Sequence, residues 1–291
     1  MQFVPPSKQA RDEAIGPVQD LPPAMRRLLN PSSFIPMGKP EPADWLTVKP
    51  EPGQTYSQFV HSHPNFPDEL RRTIYLQPLE EFSTGGPNLS QLKAFTEAFF
   101  SMPVQVLPVL PAKAGKFTAR FNGLTRKPQL LTGDILTVLK QHLPKDAYCL
   151  LGITMRDLYP GPAWNYVFGE AYLQDRVGIY SLIRYDPQFW GEDKPDRTTI
   201  ILRRSCNVLA HETGHMFGIE HCIYFHCVMN GSNSLPETDS APLHLCPVDL
   251  RKLYASVKFD PVARYAHLRD FCHNTGLKDE AAWLDTQLAH L

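Results

Sequence analysis

Residues 211–221 read His-Glu-Thr-Gly-His-Met-Phe-Gly-Ile-Glu-His, and the reading of this stretch decides the reading of the rest. On a helix, His211 and His215 stand four positions apart, so both rings leave one face and reach a single metal ion from adjacent turns. Glu212 follows the first ligand by one residue, which places its carboxylate beside such a metal, as a general base for a metal-bound water. Gly218 adopts positive φ readily, so it ends the helix and turns the chain back, and His221 arrives from the turned segment as a third ligand. Three neutral nitrogens plus one water make a tetrahedral zinc site with an open position, the arrangement of catalytic zinc. The competing reading is a buried amphipathic helix carrying hydrogen-bonded histidines. It is disfavoured because a bare HExxH is a weak signal, whereas the extended three-histidine form is a strong one.

Just beyond the third histidine, Cys222 and Cys227 are followed by Met229, Gly231 and Ser232, and Cys246 opens the segment Cys-Pro-Val-Asp. The segments HETGHMFGIEHC and CVMNGS, with a Cys-x-x element after them, resemble the archaemetzincin (archaelysin) family of metallopeptidases. Upstream, CLLGITMRDLYP (149–160), WNYVFGEA (164–171) and VGIYSLIRY (177–185) are similar to the same family. The resemblance implies a metzincin-like α/β domain with a mixed twisted sheet, an active-site helix and a helical C-terminal subdomain. It implies that Met229 forms a turn beneath the histidines, that His211, His215 and His221 bind a catalytic zinc, and that Glu212 is the base. It further implies a second, structural zinc on Cys222, Cys227 and Cys246. There the pattern breaks, because the family element is Cys-x-x-Cys and this chain has Asp249 at the fourth position. Two readings of Asp249 stand side by side: a carboxylate ligand, which zinc accepts, or the N-cap of the helix that LRKLYASV would form. His226, His244 and Cys272 are further candidates to complete the site.

The 43% apolar content and length of 291 residues allow a sizeable core. A net charge of −1 without a long basic run gives no argument for nucleic acid or an anionic membrane surface. The opening MQFVPPSKQARDE has no apolar h-region, and no apolar run reaches the length of a membrane span. Of the six cysteines, three have metal-type spacing, which favours thiolate ligands in a reducing compartment over a disulfide framework. The expected location is the cytosol, with access to the nucleus.

Prolines are concentrated in residues 1–67, whose apolar residues show no sustained period. Such a segment forms few ladder or helix hydrogen bonds, so the expectation is an extended or partly disordered lead acting as a spacer, with at most a helical turn or two at 24–30. An inhibitory lead is the weaker reading, since the segment has no cysteine and only His61 and His63 to displace a zinc ligand. Residues 68–291 are expected to form the catalytic domain, with an upper part to about 218 and a lower part from about 219. Within it, 72–79, 104–110, 146–154, 164–173 and 177–185 read as strands, and 89–101, 131–144 and 200–217 as helices. Helices are also expected over 249–257, 262–275 and 278–291. Alternation of strands and helices argues for a mixed α/β sheet. The resemblance places 177–185 at the sheet edge, where an extended peptide substrate would add by main-chain hydrogen bonds; the other reading is an interior strand whose Ile179, Tyr180 and Ile183 simply pack. Arg203 and Arg204 are read as a solvated face or salt-bridge partners, in preference to contacts for a substrate carboxylate. Cys149, Cys206 and the Cys272-His273 pair are read as buried, non-ligating residues.

The resulting expectation is a zinc peptidase that hydrolyses peptide bonds by Glu212-assisted attack of zinc-bound water, with N-terminal trimming suggested by the resemblance. The alternative is a zinc-dependent peptide-binding or scaffold protein with little turnover, motivated by the altered Cys-x-x-Asp element. Oligomeric state leaves no mark on the sequence.

Overall fold

The structure, a computed structural model, describes residues 2–82, 86–110 and 115–291. They fall into two compact units. One contains residues 1–66, 98–101 and 209–291, and the other 67–97 and 102–208. The expected lead and the expected lower part are therefore members of one unit.

The lead is more ordered than its proline content suggests. It forms α1 (Lys8–Ile15), α2 (Pro23–Leu28), α3 (Trp45–Val48) and α4 (Tyr56–His61). Pro23 opens α2, where a missing N–H costs nothing. Thr55 and Gln58 close a reciprocal capping box on α4. Met25, Leu28 and Phe59 are fully buried, so the expected spacer is corrected: these helices contribute to a core. Proline here starts helices and stiffens the links between them.

The unit of residues 67–97 and 102–208 is built on a five-stranded sheet. Its strands are β1 (Thr73–Pro78), β2 (Val104–Val106), β5 (Ala147–Thr154), β7 (Gly169–Tyr172) and β8 (Val177–Ser181), in the order β2-β1-β5-β8-β7. β3 (Ala119–Phe121), β4 (Pro128–Leu131) and β6 (Asp157–Tyr159) make a second, smaller sheet. Helices α5 (Leu89–Phe100) and α6 (Thr132–Gln141) connect the strands. Every residue of β1 and β5 is buried, as a near-continuous apolar run in a parallel sheet requires. Ile135 and Leu139 of α6 pack on Leu150 and Ile179. A buried fork joins Arg184 to both oxygens of Asp157 at 2.7 Å, with the guanidinium 3.6 Å from the centre of the Tyr166 ring.

The mixed sheet is as expected, but the strand assigned to its edge is not. β8 pairs with β5 on one side and β7 on the other, ends at Ser181, and gives way to a 3₁₀ turn over Ile183–Tyr185. The edges of this sheet are β2 and β7, and β7, antiparallel to β8, covers β8 on that side. Arg204 donates to the carbonyl of Tyr185 at 2.8 Å, which accounts for it without a substrate.

Helix α7 (Arg197–Met216) carries the first two histidines on its last turns, and α8 (Leu235–Ser240), α9 (Pro247–Val257), α10 (Pro261–Thr275) and α11 (Lys278–Ala289) follow. Asp260 caps α10 through the amides of Val262 and Ala263, and Gly276 ends it at φ 76°. None of the described helices is long and apolar enough to cross a membrane.

Candidate metal centre

α7 stops because its C-terminus is a Schellman turn. Gly218 sits at φ 79°, its N–H donates to His215, and the Ile219 N–H reaches back to Gly214. This turn delivers the Ile219 carbonyl to His215 Nδ1 at 2.7 Å, while His211 Nδ1 meets the Val228 carbonyl at 2.9 Å. A carbonyl oxygen only accepts, so each Nδ1 carries the proton and each Nε2 is left with a lone pair. Those two Nε2 atoms are 3.1 Å apart. Two lone pairs facing each other at that distance repel unless a cation lies between them. Tetrahedral zinc with nitrogen ligands at its usual distance separates them by about 3.4 Å. Ligand atoms of His211, His215 and His221 all lie within 4.8 Å of one another. The donor set therefore fits zinc by its chemistry and its spacing.

Burial is the main force pushing both His211 and His215 down to about 4, with neighbouring imidazoles adding to it. Neutral imidazole is the form that ligates. Burial likewise raises the Glu212 carboxyl above its ordinary range, opposed by His215 and His221.

The third histidine has a different partner. His221 Nδ1 lies 3.1 Å from both oxygens of Glu51, which comes from the lead 170 positions earlier. Burial acts to raise the Glu51 carboxyl, but hydrogen bonding and charge from His221, with Lys49 nearby, hold it below its ordinary value.

Met229 explains the glycine inside the motif. A Cβ on Gly214 would lie 2.5 Å from Met229 Sδ and 2.9 Å from its Cε, so the thioether occupies the space beside the ligand turn that any side chain would need. The Met229 carbonyl accepts from the Cys222 N–H at 2.9 Å. Asn230 ties the same loop by donating to the Cys222 and Phe225 carbonyls and accepting from the Cys227 N–H.

Cys222, Cys227, Cys246 and Asp249 form the second cluster, all buried, with ligand atoms within 4.8 Å of one another. Cys222 Sγ is 3.5 Å from Cys246 Sγ, and Asp249 Oδ2 is 3.3 Å from Cys227 Sγ and 3.5 Å from Cys246 Sγ. Three sulfurs and an oxygen at these separations suit a closed tetrahedral zinc site. The cap reading of Asp249 is corrected: Cys246 is the N-cap of α9, and Asp249 lies inside the helix, turned into the cluster. Its other oxygen, Oδ1, receives the ammonium of Lys252 at 2.8 Å, and both residues are essentially inaccessible. His226, His244 and Cys272 stand outside the cluster. The His244 ring stacks on Trp283 at 3.7 Å, and burial drives it down to about 4.

The model of the family described as Peptidase family M54 matches residues 131–254. Archaemetzincin-2 of Macaca fascicularis is 37% identical over 275 residues, covering 84% of this chain and 76% of that protein. The chain belongs to the archaemetzincin family of zinc metallopeptidases. Archaemetzincin-1 of Homo sapiens is 33% identical over 254 residues, or 77% of this chain and 51% of that protein. Among solved structures, a zinc-dependent peptidase from Methanocorpusculum labreanum shares the fold, with a TM-score of 0.50 and 24% identity over 62% of this chain and 99% of that one.

In this archaemetzincin the sequence pattern picks out both candidate ligand clusters, and the structure gathers each of them. It misses Glu51, Lys252 and Asn230. Glu51 lies in a Pro-Glu-Pro stretch of the lead, which reads as a spacer, and Lys252 in the helix expected over 249–257, where the sequence assigns it no role. The one signal pointing to Lys252 is its place three residues after Asp249, which puts the two on one helix face.

Proposed function

We propose that His211, His215 and His221 hold the catalytic zinc of this archaemetzincin and that Glu212 is its general base in peptide bond hydrolysis. The observation that carries this reading is the convergence of three imidazoles with every Nδ1 tied to an acceptor and two Nε2 lone pairs facing each other at 3.1 Å. Zinc, when bound, supplies a Lewis acid that polarises the scissile carbonyl and makes water more acidic. Glu212 takes a proton from the attacking water and passes it to the leaving amide nitrogen as the C–N bond breaks. Burial raises its carboxyl above the ordinary range, which makes the carboxylate a stronger acceptor for the proton it takes from water. The substrate is a peptide or protein, and the family resemblance favours trimming from the N-terminus. The second cluster, Cys222, Cys227, Cys246 and Asp249, is proposed to hold a structural zinc. All six cysteines are free and buried, which accords with a cytosolic, reducing setting.

Zinc-loaded protein and its Glu212→Gln variant, incubated with a mixed peptide library and read by mass spectrometry, test the mechanism. Cleavage by the parent alone, with zinc content equal in both, is the expected result, and the product ends separate trimming from internal cutting. Equal turnover by Glu212→Gln would refute the role of the base. Captured but intact peptides in both samples would favour a binding protein.

A further inference from the structure

The third zinc ligand stands on residues 217–234, a stretch with no regular helix or strand, so its position is set by whatever the loop is fastened to. One fastening is the lead. Gln54 donates to the Gly218 carbonyl at 3.1 Å and accepts from the Glu220 N–H at 3.3 Å. Further along, the Met37 N–H donates to Tyr224 and the His226 N–H to Ile35, around a bridge between Pro36 and Phe225. At the centre of this seam Trp45 stands edge-on to the His221 ring, centroids 5.1 Å apart at 81°, and Glu51 faces Nδ1 of that ring with both oxygens.

The sequence around Glu51 is built for rigidity. Pro50 and Pro52 flank it, fixing their own φ and restricting the residues that precede them. Gly53 follows at φ 70°, and a Cβ there would fall 2.5 Å from Ile223 Cγ1, so both its conformation and its surroundings demand glycine. The carboxylate is thus delivered to one place with little conformational freedom. It also differs in kind from its counterparts, because Nδ1 of His211 and His215 is met by neutral carbonyls. Only this ligand of the three is oriented by a charged group.

We propose that Glu51 is a positioning residue of the zinc centre. Held by its proline bracket, it accepts a hydrogen bond from Nδ1–H of His221, fixes the ring so that the other nitrogen faces the metal, and adds a negative charge to the outer shell, raising the basicity of the ligand. The proline-rich lead is accordingly part of the metal centre. This rests on the histidine triad being the zinc site.

The test is competitive zinc binding against a chromophoric chelator, on full-length parent, Glu51→Ala and Glu51→Gln. Cobalt substitution follows the cysteine cluster separately through its thiolate absorption. Glu51→Ala is expected to lose about 10–100-fold in affinity at the histidine centre. Glu51→Gln, which keeps an acceptor oxygen without the charge, is expected to fall between. The thiolate signal and the melting temperature of the metal-free protein should stay at parent values. Parent-like affinity in both variants, or losses that only track a fall in metal-free stability, would overturn the proposal. A His211→Ala control separates the two readings: if it retains the zinc, the triad assignment fails, and if it loses zinc while both Glu51 variants keep it, only the role of Glu51 fails.

Discussion

Gly214→Ala puts two known effects in opposition beside the proposed zinc ligands. Alanine in a helix interior is favoured over glycine by about 0.5–1 kcal/mol. Here, however, the added Cβ would stand 2.5 Å from Met229 Sδ, and Met229 is fully buried. Inserting a methyl into packed space costs about 1–3 kcal/mol, so the net change should run from near zero to a loss of about 2.5 kcal/mol. Displacing Met229 also disturbs Val228, the residue before it, whose carbonyl holds His211 Nδ1; weaker zinc binding should accompany the loss. The decisive experiment is a double-mutant cycle in denaturant, with EDTA present, on parent, Gly214→Ala, Met229→Ala and the double variant. Without the thioether the clash is gone, and Gly214→Ala should turn stabilising by about 0.5–1 kcal/mol in that background. The same destabilisation in both backgrounds would show that Met229 does not fill the space in question, and the reasoning would fail.

Asp249→Asn leaves the Lys252 ammonium buried without its counter-charge. The expected cost is about 3–5 kcal/mol, or a drop of roughly 6–20 °C in melting temperature at the usual conversion for a unit of this size. Adding Lys252→Met to that variant should recover most of it, and a drop of a degree or two in Asp249→Asn alone would contradict a buried ion pair. Acidification should weaken metal binding at the cysteine cluster. Burial, with charge from Cys222, raises Asp249 to about 6, so protons compete with metal for that carboxylate as pH falls through about 6. Zinc per chain of His211→Ala that stayed constant as pH fell through that range would contradict this. Gly53→Ala forces a side chain into left-handed φ at a cost of about 1–2 kcal/mol before any clash with Ile223, and it should lower both melting temperature and zinc affinity. A variant indistinguishable from the parent in both would show that the turn has room to relax.

Elements whose signal is local were legible in the sequence. The apolar run of 146–154 could only be a buried strand, and the observed strand is Ala147–Thr154. Gly218 and Gly276 mark the ends of α7 and α10 with positive φ, as a C-terminal glycine should. Strand order is a different kind of information, because it depends on pairing between segments far apart in the chain. The buried residues of 177–181 fit an edge or an interior strand equally well, and only the pairing of β8 with both β5 and β7 decides between them. The lead was misread for a related reason. Its prolines exclude long helices, but not short ones begun at proline, such as α2, and its buried residues are too sparse to show a period.

The same division runs through the metal centre. His211, Glu212 and His215 share one helix, so their geometry follows from 3.6 residues per turn and could be read directly. Asp249 lay between two local readings, cap and ligand, and the choice needed the tertiary fact that its side chain points at two sulfurs and a buried ammonium. Glu51 was out of reach, since nothing within the lead records that His221 lies against it from 170 positions away. The third ligand is where this matters most. His221 lies beyond the end of the helix, and no local rule fixes a proposed ligand on an irregular loop. Its position comes from the lead through Gln54 and Glu51, and from the adjoining Cys222, whose N–H is held by Met229 and whose sulfur lies in the second cluster. A motif of eleven residues names the proposed ligands of this site, but two distant segments complete its geometry.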